Sequence, residues 1–241
     1  LIVAVTALVL LVGGHSGHAH NDYLHPRPLW DAYERGFRSL EVDVFPVNGE
    51  LWVAHERKEL QPNRTLRALY LQPLAEKLAA GDWKGPLQIL VDFKADGEQS
   101  YELLSREVAG FPALQSVSFV ISGARPLAVF EPKRGLKLDG RWSDERSKYS
   151  TEQMPLVSEA WRSHFRWNGV GVMPDDQREK LISMVRQVQG EGRKVRFWGA
   201  PDTEAAWKVQ QDAGVNWINT DRLAPFALWA GTGGGLGGRG H

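Results

Sequence analysis

Ser39-Leu40-Glu41-Val42-Asp43-Val44 is a short run in which apolar and polar residues alternate. A strand's period of two sets Leu40, Val42 and Val44 on one face and Glu41 with Asp43 on the other. The apolar series argues that the element is buried, so the two carboxylates point inward together. Like charges held that close repel, and a hard divalent cation between them removes the conflict, because Mg²⁺ and Ca²⁺ prefer oxygen ligands. Leu87-Gln88-Ile89-Leu90-Val91-Asp92-Phe93-Lys94 repeats the design, with Asp92 and Lys94 two apart at the end of a hydrophobic strand. Asp92 is then a third ligand and Lys94 a phosphate partner.

Working outward, short β-branched runs alternate with helical patterns, the signature of βα units around a parallel sheet. Candidate strands are Ser39–Val44, Leu51–Ala54, Leu87–Phe93, Val117–Ile121, Gly169–Val172, Lys194–Trp198 and Asn216–Asn219, with a short candidate at Gly135–Leu138. Helical patterns cover Leu29–Arg35, Gln177–Gln189 and Thr203–Ala213, the last capped by Asp202 or Thr203. The polar stretch Asp139–Thr151 reads as a long loop. A chain of 241 residues that is 42% hydrophobic and carries ten tryptophans has the size of one α/β barrel. The expectation is a (β/α)8 TIM barrel over 15–230, some of its units shortened or irregular.

At the ends, Leu1–Val12 is apolar and too short to span a bilayer, so segment 1–14 reads as the remnant of a signal peptide and the protein as secreted or periplasmic. The alternative is a buried first strand. The tail 231–241 is glycine-rich and expected to be disordered. Lys+Arg and Asp+Glu both number 29, which leaves no overall field to attract nucleic acid or an anionic membrane, and no stable membrane anchor is expected once the signal segment is cleaved. The absence of cysteine excludes disulfides, thiol nucleophiles and zinc–thiolate sites.

Histidines supply the remaining chemistry. Gly17-His18-Ala19-His20-Asn21-Asp22-Tyr23 and His55-Glu56 place His20 and His55 near strand ends, where barrel enzymes keep their catalytic side chains. Beside a carboxylate-bound cation, His20 and His55 suit a general acid/base pair. His18 competes with His20 for the first position. Asn21 and Asp22 either join the metal shell, orient the histidine or form a simple turn, and Arg27 is within reach of a phosphate role.

His20, Glu41-x-Asp43, His55-Glu56, Asp92-x-Lys94 and Trp217-Ile218-Asn219-Thr220-Asp221 together resemble the ordered motifs of the glycerophosphodiester phosphodiesterase and phosphatidylinositol-specific phospholipase C-like superfamily. The likeness runs from about His18 to Leu223, and the region from His20 to Leu29 is most similar to a little-characterised bacterial secreted subgroup. The resemblance implies His20 and His55 as the acid/base pair, Glu41, Asp43 and Asp92 as ligands of Mg²⁺ or Ca²⁺, Lys94 on the scissile phosphate, and Trp198 beside the site. It implies a small-molecule or phospholipid phosphodiester as substrate. Ala19-His20-Asn21-Asp22 stands where these phosphodiesterases usually show His-Arg-Gly, and Asp92 where Glu is usual.

Two other readings compete. His18-x-His20 is also the metal signature of amidohydrolase-like metallohydrolases, but that scheme needs later histidines, and only His164 and His241 follow His55. A barrel that binds a phosphate or lipid headgroup without turnover is the second, although binding alone needs no acid/base pair. No Gly-x-Ser-x-Gly elbow supports a serine hydrolase.

Overall fold

The computed structural model describes residues 14–83, 85–131 and 135–234. Nearly all of the expected signal segment and the end of the glycine-rich tail lie outside the described residues. The start of that tail does not: Ala230–Gly234 forms one π-type turn.

Among the described residues, nine strands form one sheet: β1 (Gly17–Ala19), β2 (Ser39–Val47), β3 (Glu50–Val53), β4 (Leu87–Phe93), β5 (Val117–Gly123), β6 (Leu136–Gly140), β7 (Leu156–Ala160), β8 (Lys194–Trp198) and β9 (Trp217–Thr220). Eight are parallel, and β1 closes the ring by pairing with both β2 and β9. Helices α1 (Trp30–Tyr33), α2 (Gln72–Ala79), α3 (Gly97–Ala109), α4 (Trp161–His164), α5 (Asp175–Gly190), α6 (Glu204–Asp212) and α7 (Leu223–Trp229) fall between or after the strands. This is the (β/α)8 barrel expected from the alternation.

β3 is not a barrel stave. It folds back antiparallel on β2, with Val47 opposite Glu50 across Asn48-Gly49. Both turn residues have positive φ, 49° and 83°, the backbone of a tight hairpin turn for which Asn-Gly is suited. The hairpin carries His55 back over the open end of the barrel.

Two expected elements moved. Gly169–Val172 is a loop, not a strand, because its glycines take positive φ and its valines bury nothing. The missing stave is Leu156–Ala160, a stretch whose Ser158 and Glu159 mask its apolar pattern. The first stave is short Gly17–Ala19, so His18 lies within a strand instead of following one. Helices α2, α3, α4 and α7 were not read from the sequence. Thr203, of the two cap candidates, receives the Ala206 amide at 3.3 Å, while Asp202 accepts from Trp207 Nε1 at 2.7 Å.

The strand period sorts the core into two compartments. Leu40, Val42, Val44, Ile89, Val91, Phe119, Ile121, Val195, Phe197 and Ile218 face outward into the main core shared with the helices. Leu90, Val120 and Leu156, with Trp217 against them, form a separate cluster. These residues alternate with the outward set, so they fill the barrel interior toward its amino end. Above them the inward positions turn polar: Glu41, Asp43, Asp92, Ser122, Asp139, Ser158, Arg196 and Asn219. Buried ions on this scale persist only when paired and hydrogen-bonded.

Candidate active site

The parallel register explains the convergence. Asp43 of β2 pairs with Asp92 of β4, so adjacent staves deliver carboxylates at one height. Glu41, Asp43 and Asp92 each offer an oxygen within 4.8 Å of the others. Lys94, one residue past β4, places Nζ 2.7 Å from Asp92 Oδ2 and 2.9 Å from Asp43 Oδ2. Arg196 reaches across from β8 to ion-pair with Glu41 Oε2.

Each carboxylate has a distinct environment. Burial opposes the charge of Glu41, but the Arg196 guanidinium outweighs it and holds the carboxyl well below its usual range. Asp43 is pushed up by burial and by the neighbouring Glu41, with Lys94 partly offsetting them. Its Oδ2 accepts from Tyr23 Oη at 2.9 Å and lies 2.9 Å from His55 Nδ1. Its Oδ1 is buried and has no hydrogen-bond partner among the described residues. Glu41, Asp43 and Asp92 thus offer a set of carboxylate oxygens of which one is buried and unpaired. Such an all-oxygen donor set fits a hard divalent cation.

His20 and His55 share a local design. Just past β1, His20 Nδ1 lies 2.8 Å from Asp221 Oδ1, and His55 Nδ1 is held by Asp43. A carboxylate on Nδ1 fixes the ring and leaves Nε2 for chemistry. His20 Nε2 stands 4.0 Å from Glu41 Oε1. Burial pulls the His20 pKa down, but Asp221 and Glu41 outweigh it, so the pKa lies above the usual 6.5.

His18 has no free nitrogen. Its Nδ1 meets Ser39 Oγ at 2.7 Å, and Arg196 donates to Nε2 at 2.6 Å. Burial and the Arg196 charge lower its pKa to about 4, so at neutral pH it is an uncharged acceptor. This separates His18 from His20 geometrically, and it removes the His18-x-His20 metal pair on which the amidohydrolase-like reading rests. Asp22 is likewise outside the carboxylate cluster: its Oδ2 accepts the Leu29 amide at 2.6 Å and the Tyr70 hydroxyl at 2.8 Å. Asn21 takes φ 46° and receives the Tyr23 hydroxyl at 3.3 Å, the behaviour of a turn residue. Arg27 is committed to Asp31 and Glu34 rather than to a phosphate. Trp198 ends β8, half-exposed at the mouth.

Arg196 and Asp221 were not singled out from the sequence, although both left a signal. Lys194-Val195-Arg196-Phe197-Trp198 places charge at alternate positions of a strand, as Glu41 and Asp43 do. Asp221 closes the Trp217–Asp221 motif, one residue beyond β9, and β9 pairs with the strand of His18.

Comparison with known proteins agrees with the barrel fold. Residues 7–84 match the family described as AIM6-like phosphodiesterase domain, and residues 194–224 match the glycerophosphoryl diester phosphodiesterase family. The altered inheritance of mitochondria protein 6 homolog of Arthroderma benhamiae is 32% identical over 252 residues, covering 85% of this chain and 80% of the relative. That of Kluyveromyces lactis, altered inheritance of mitochondria protein 6, is 33% identical over 297 residues, covering 87% and 71%. The crystal structure of glycerophosphodiester phosphodiesterase from Agrobacterium tumefaciens superposes with a TM-score of 0.51 at 13% identity, over 90% of this chain and 98% of that one. Barrel, motifs and family matches together define a phosphoric diester hydrolase of the glycerophosphodiester phosphodiesterase superfamily. Within it, the chain belongs to the altered inheritance of mitochondria protein 6 family. The two relatives named are fungal.

Proposed function

We propose that this protein hydrolyses a glycerophosphodiester- or phospholipid-type phosphodiester with His20 and His55 as its acid/base pair, and that the reaction depends on a divalent cation, Mg²⁺ or Ca²⁺. The observation that carries this reading is the pair of carboxylate-held histidines beside the Glu41, Asp43 and Asp92 cluster, His55 on Asp43 and His20 on Asp221 with its Nε2 4.0 Å from Glu41. Those three residues would hold the cation through their carboxylate oxygens. When bound, it supplies Lewis-acid stabilisation of the phosphoryl oxygens.

The chain's own groups account for the rest. Lys94 places an ammonium beside the carboxylates; burial works against its charge, but Asp92 and Asp43 raise its pKa, so it remains cationic and stabilises the negative charge that grows on the phosphate in the transition state. His20, whose pKa is raised, is suited to start protonated and to give its proton to the leaving oxygen. His55, half-exposed and oriented by Asp43, is suited to take the proton of the attacking water or substrate hydroxyl. Tyr23 and Arg196 fix Asp43 and Glu41 in place.

The test is turnover of bis(p-nitrophenyl) phosphate and a panel of glycerophosphodiesters and lysophospholipids, with and without EDTA, Mg²⁺ and Ca²⁺. Chelation is expected to abolish activity and added cation to restore it. His20→Ala and His55→Ala should each lower kcat by about 10²–10⁴-fold with the fold intact, the range for loss of one general acid or base. Full activity in both variants would remove the two-histidine assignment, and EDTA-resistant turnover would remove the cation.

A further inference from the structure

Large hydrophobic side chains left exposed among the described residues are concentrated at one end of the barrel. Leu24 follows β1, Val170 and Val172 follow β7 and α4, and Trp198 ends β8, so all four lie at the open mouth, on its β7–β8–β9–β1 sector. Leu127 and Val129 follow β5, and only Leu228 sits away from the strand-end loops, on α7. Val170 is 76% exposed, Val172 88% and Leu24 67%.

The loop that carries the two valines is held in shape by its own hydrogen bonds. Trp167 Nε1 donates to the Val170 carbonyl at 3.0 Å, Asn168 Oδ1 accepts the Val170 amide at 3.2 Å, and Gln177 Oε1 accepts the Arg166 and Trp167 amides at 2.8 and 3.0 Å. Val170 and Val172 are therefore presented to solvent by a fixed scaffold. At the base of the same loop, Arg162 and Arg166 are exposed, and neither guanidinium has an ion-pair partner among the described residues. Both border a cavity of about 440 Å³ walled by Trp161, Phe165 and the backbone of Gly199 and Ala200.

We propose that this sector of the mouth docks on a phospholipid bilayer. Val170, Val172, Leu24 and Trp198 enter the interfacial layer, and Arg162 with Arg166 engages lipid phosphates at headgroup depth. Apolar tips beside a cationic base match the two layers of a bilayer surface, apolar inside and phosphate-bearing outside. The planar guanidinium pairs with phosphate oxygens bidentately, and Trp favours the interface itself. Docking in this pose brings the mouth, with His20 and His55, to the lipid phosphodiester plane. The proposal goes beyond the phosphodiesterase reading and is read out without turnover.

The experiment is co-sedimentation of the full chain with phosphatidylcholine vesicles and with vesicles of phosphatidylcholine and phosphatidylserine. Wild type is expected to partition onto vesicles. Arg162→Gln and Arg166→Gln should each weaken binding about fivefold, the worth of one cation near a charged bilayer. Val170→Asp with Val172→Asp should weaken it by about tenfold or more, since two of the four apolar anchors become charged. All of these variants should keep wild-type circular dichroism and wild-type hydrolysis of soluble bis(p-nitrophenyl) phosphate. Wild type remaining in the supernatant with both vesicle types, or the valine variant binding as tightly as wild type, overturns the proposal. Failure of wild type to hydrolyse the soluble diester would count against the phosphodiesterase reading and leave the docking result standing.

Discussion

Asp221 and Asp22 are both aspartates near the barrel mouth, and their surroundings give them opposite work. Asp221 is exposed and holds His20 through Nδ1, raising the histidine's pKa against the effect of burial. Asp221→Asn should therefore lower that pKa. If His20 donates its proton, the alkaline limb of the kcat/KM profile moves to lower pH; a limb that stays put would belong to another group. Asp22 is buried, and burial raises its pKa from 3.8 to about 6 despite its bonds from Leu29 and Tyr70. A raised folded-state value means the native protein binds this proton more tightly than the unfolded chain. The resulting stabilisation is complete below the unfolded value and is lost as pH climbs through the folded one, about 3 kcal/mol for a two-unit shift. Asp22→Asn keeps an acceptor for Leu29 and Tyr70 and should flatten the fall in unfolding free energy between about pH 4 and pH 7. Asp139, raised to about 6 by burial, should retain its own share of that slope. Urea titrations across this range decide it, and an unchanged slope would clear Asp22 of the effect.

At the scale of elements, strand ends do the positioning. β4 and β5 run in register so that Asp92 lies beside Ser122, and Gly123 follows with φ 69°. A Cβ at Gly123 would collide with Asp92 Oδ1 and the Phe93 carbonyl, besides forcing an L-residue into left-handed backbone. Gly123→Ala is expected to cost about 1–3 kcal/mol in thermal unfolding and to displace Asp92. The apparent affinity for activating Mg²⁺ or Ca²⁺ should fall accordingly, and a metal titration indistinguishable from wild type would separate Asp92 from the cation. The β2–β3 hairpin is the second device. Without the Asn48-Gly49 reversal, His55 would not return to Asp43, 12 residues earlier in the chain.

Across the whole molecule, the barrel must close before any of this exists, because Glu41 of β2 and Arg196 of β8 meet only across its interior. The seam lies where β1 joins β9, and Phe226 of α7 packs there. Its ring sits 5.7 Å from Phe37, 5.1 Å from His15, 5.0 Å from Trp207 and 5.2 Å from Trp229. Phe226→Ala should cost about 3–5 kcal/mol, the range for a fully buried aromatic, measured by denaturant unfolding. Its effect on turnover at temperatures where the variant is folded should be small, since the ring faces the helices and not the mouth.

Much of the fold and site is legible in local pattern. Strands β4 and β8 coincide with their sequence runs, and the period of two already aims Glu41, Asp43, Asp92 and Lys94 into one interior. Segments failed where the pattern was interrupted: β7 hides behind Ser158 and Glu159, and Gly169–Val172 is apolar without being buried. The sequence by itself determined the alternation that makes a barrel and the residue types that can hold a cation and move protons. Only the tertiary structure gave His18 and His20 different partners, brought Arg196 to Glu41 and Asp221 to His20, and tied Asp22 to Leu29 and Tyr70. The reason is that burial and pairing are properties of neighbours: His18 and Arg196 lie 178 residues apart, and their contact is created by closure of the barrel.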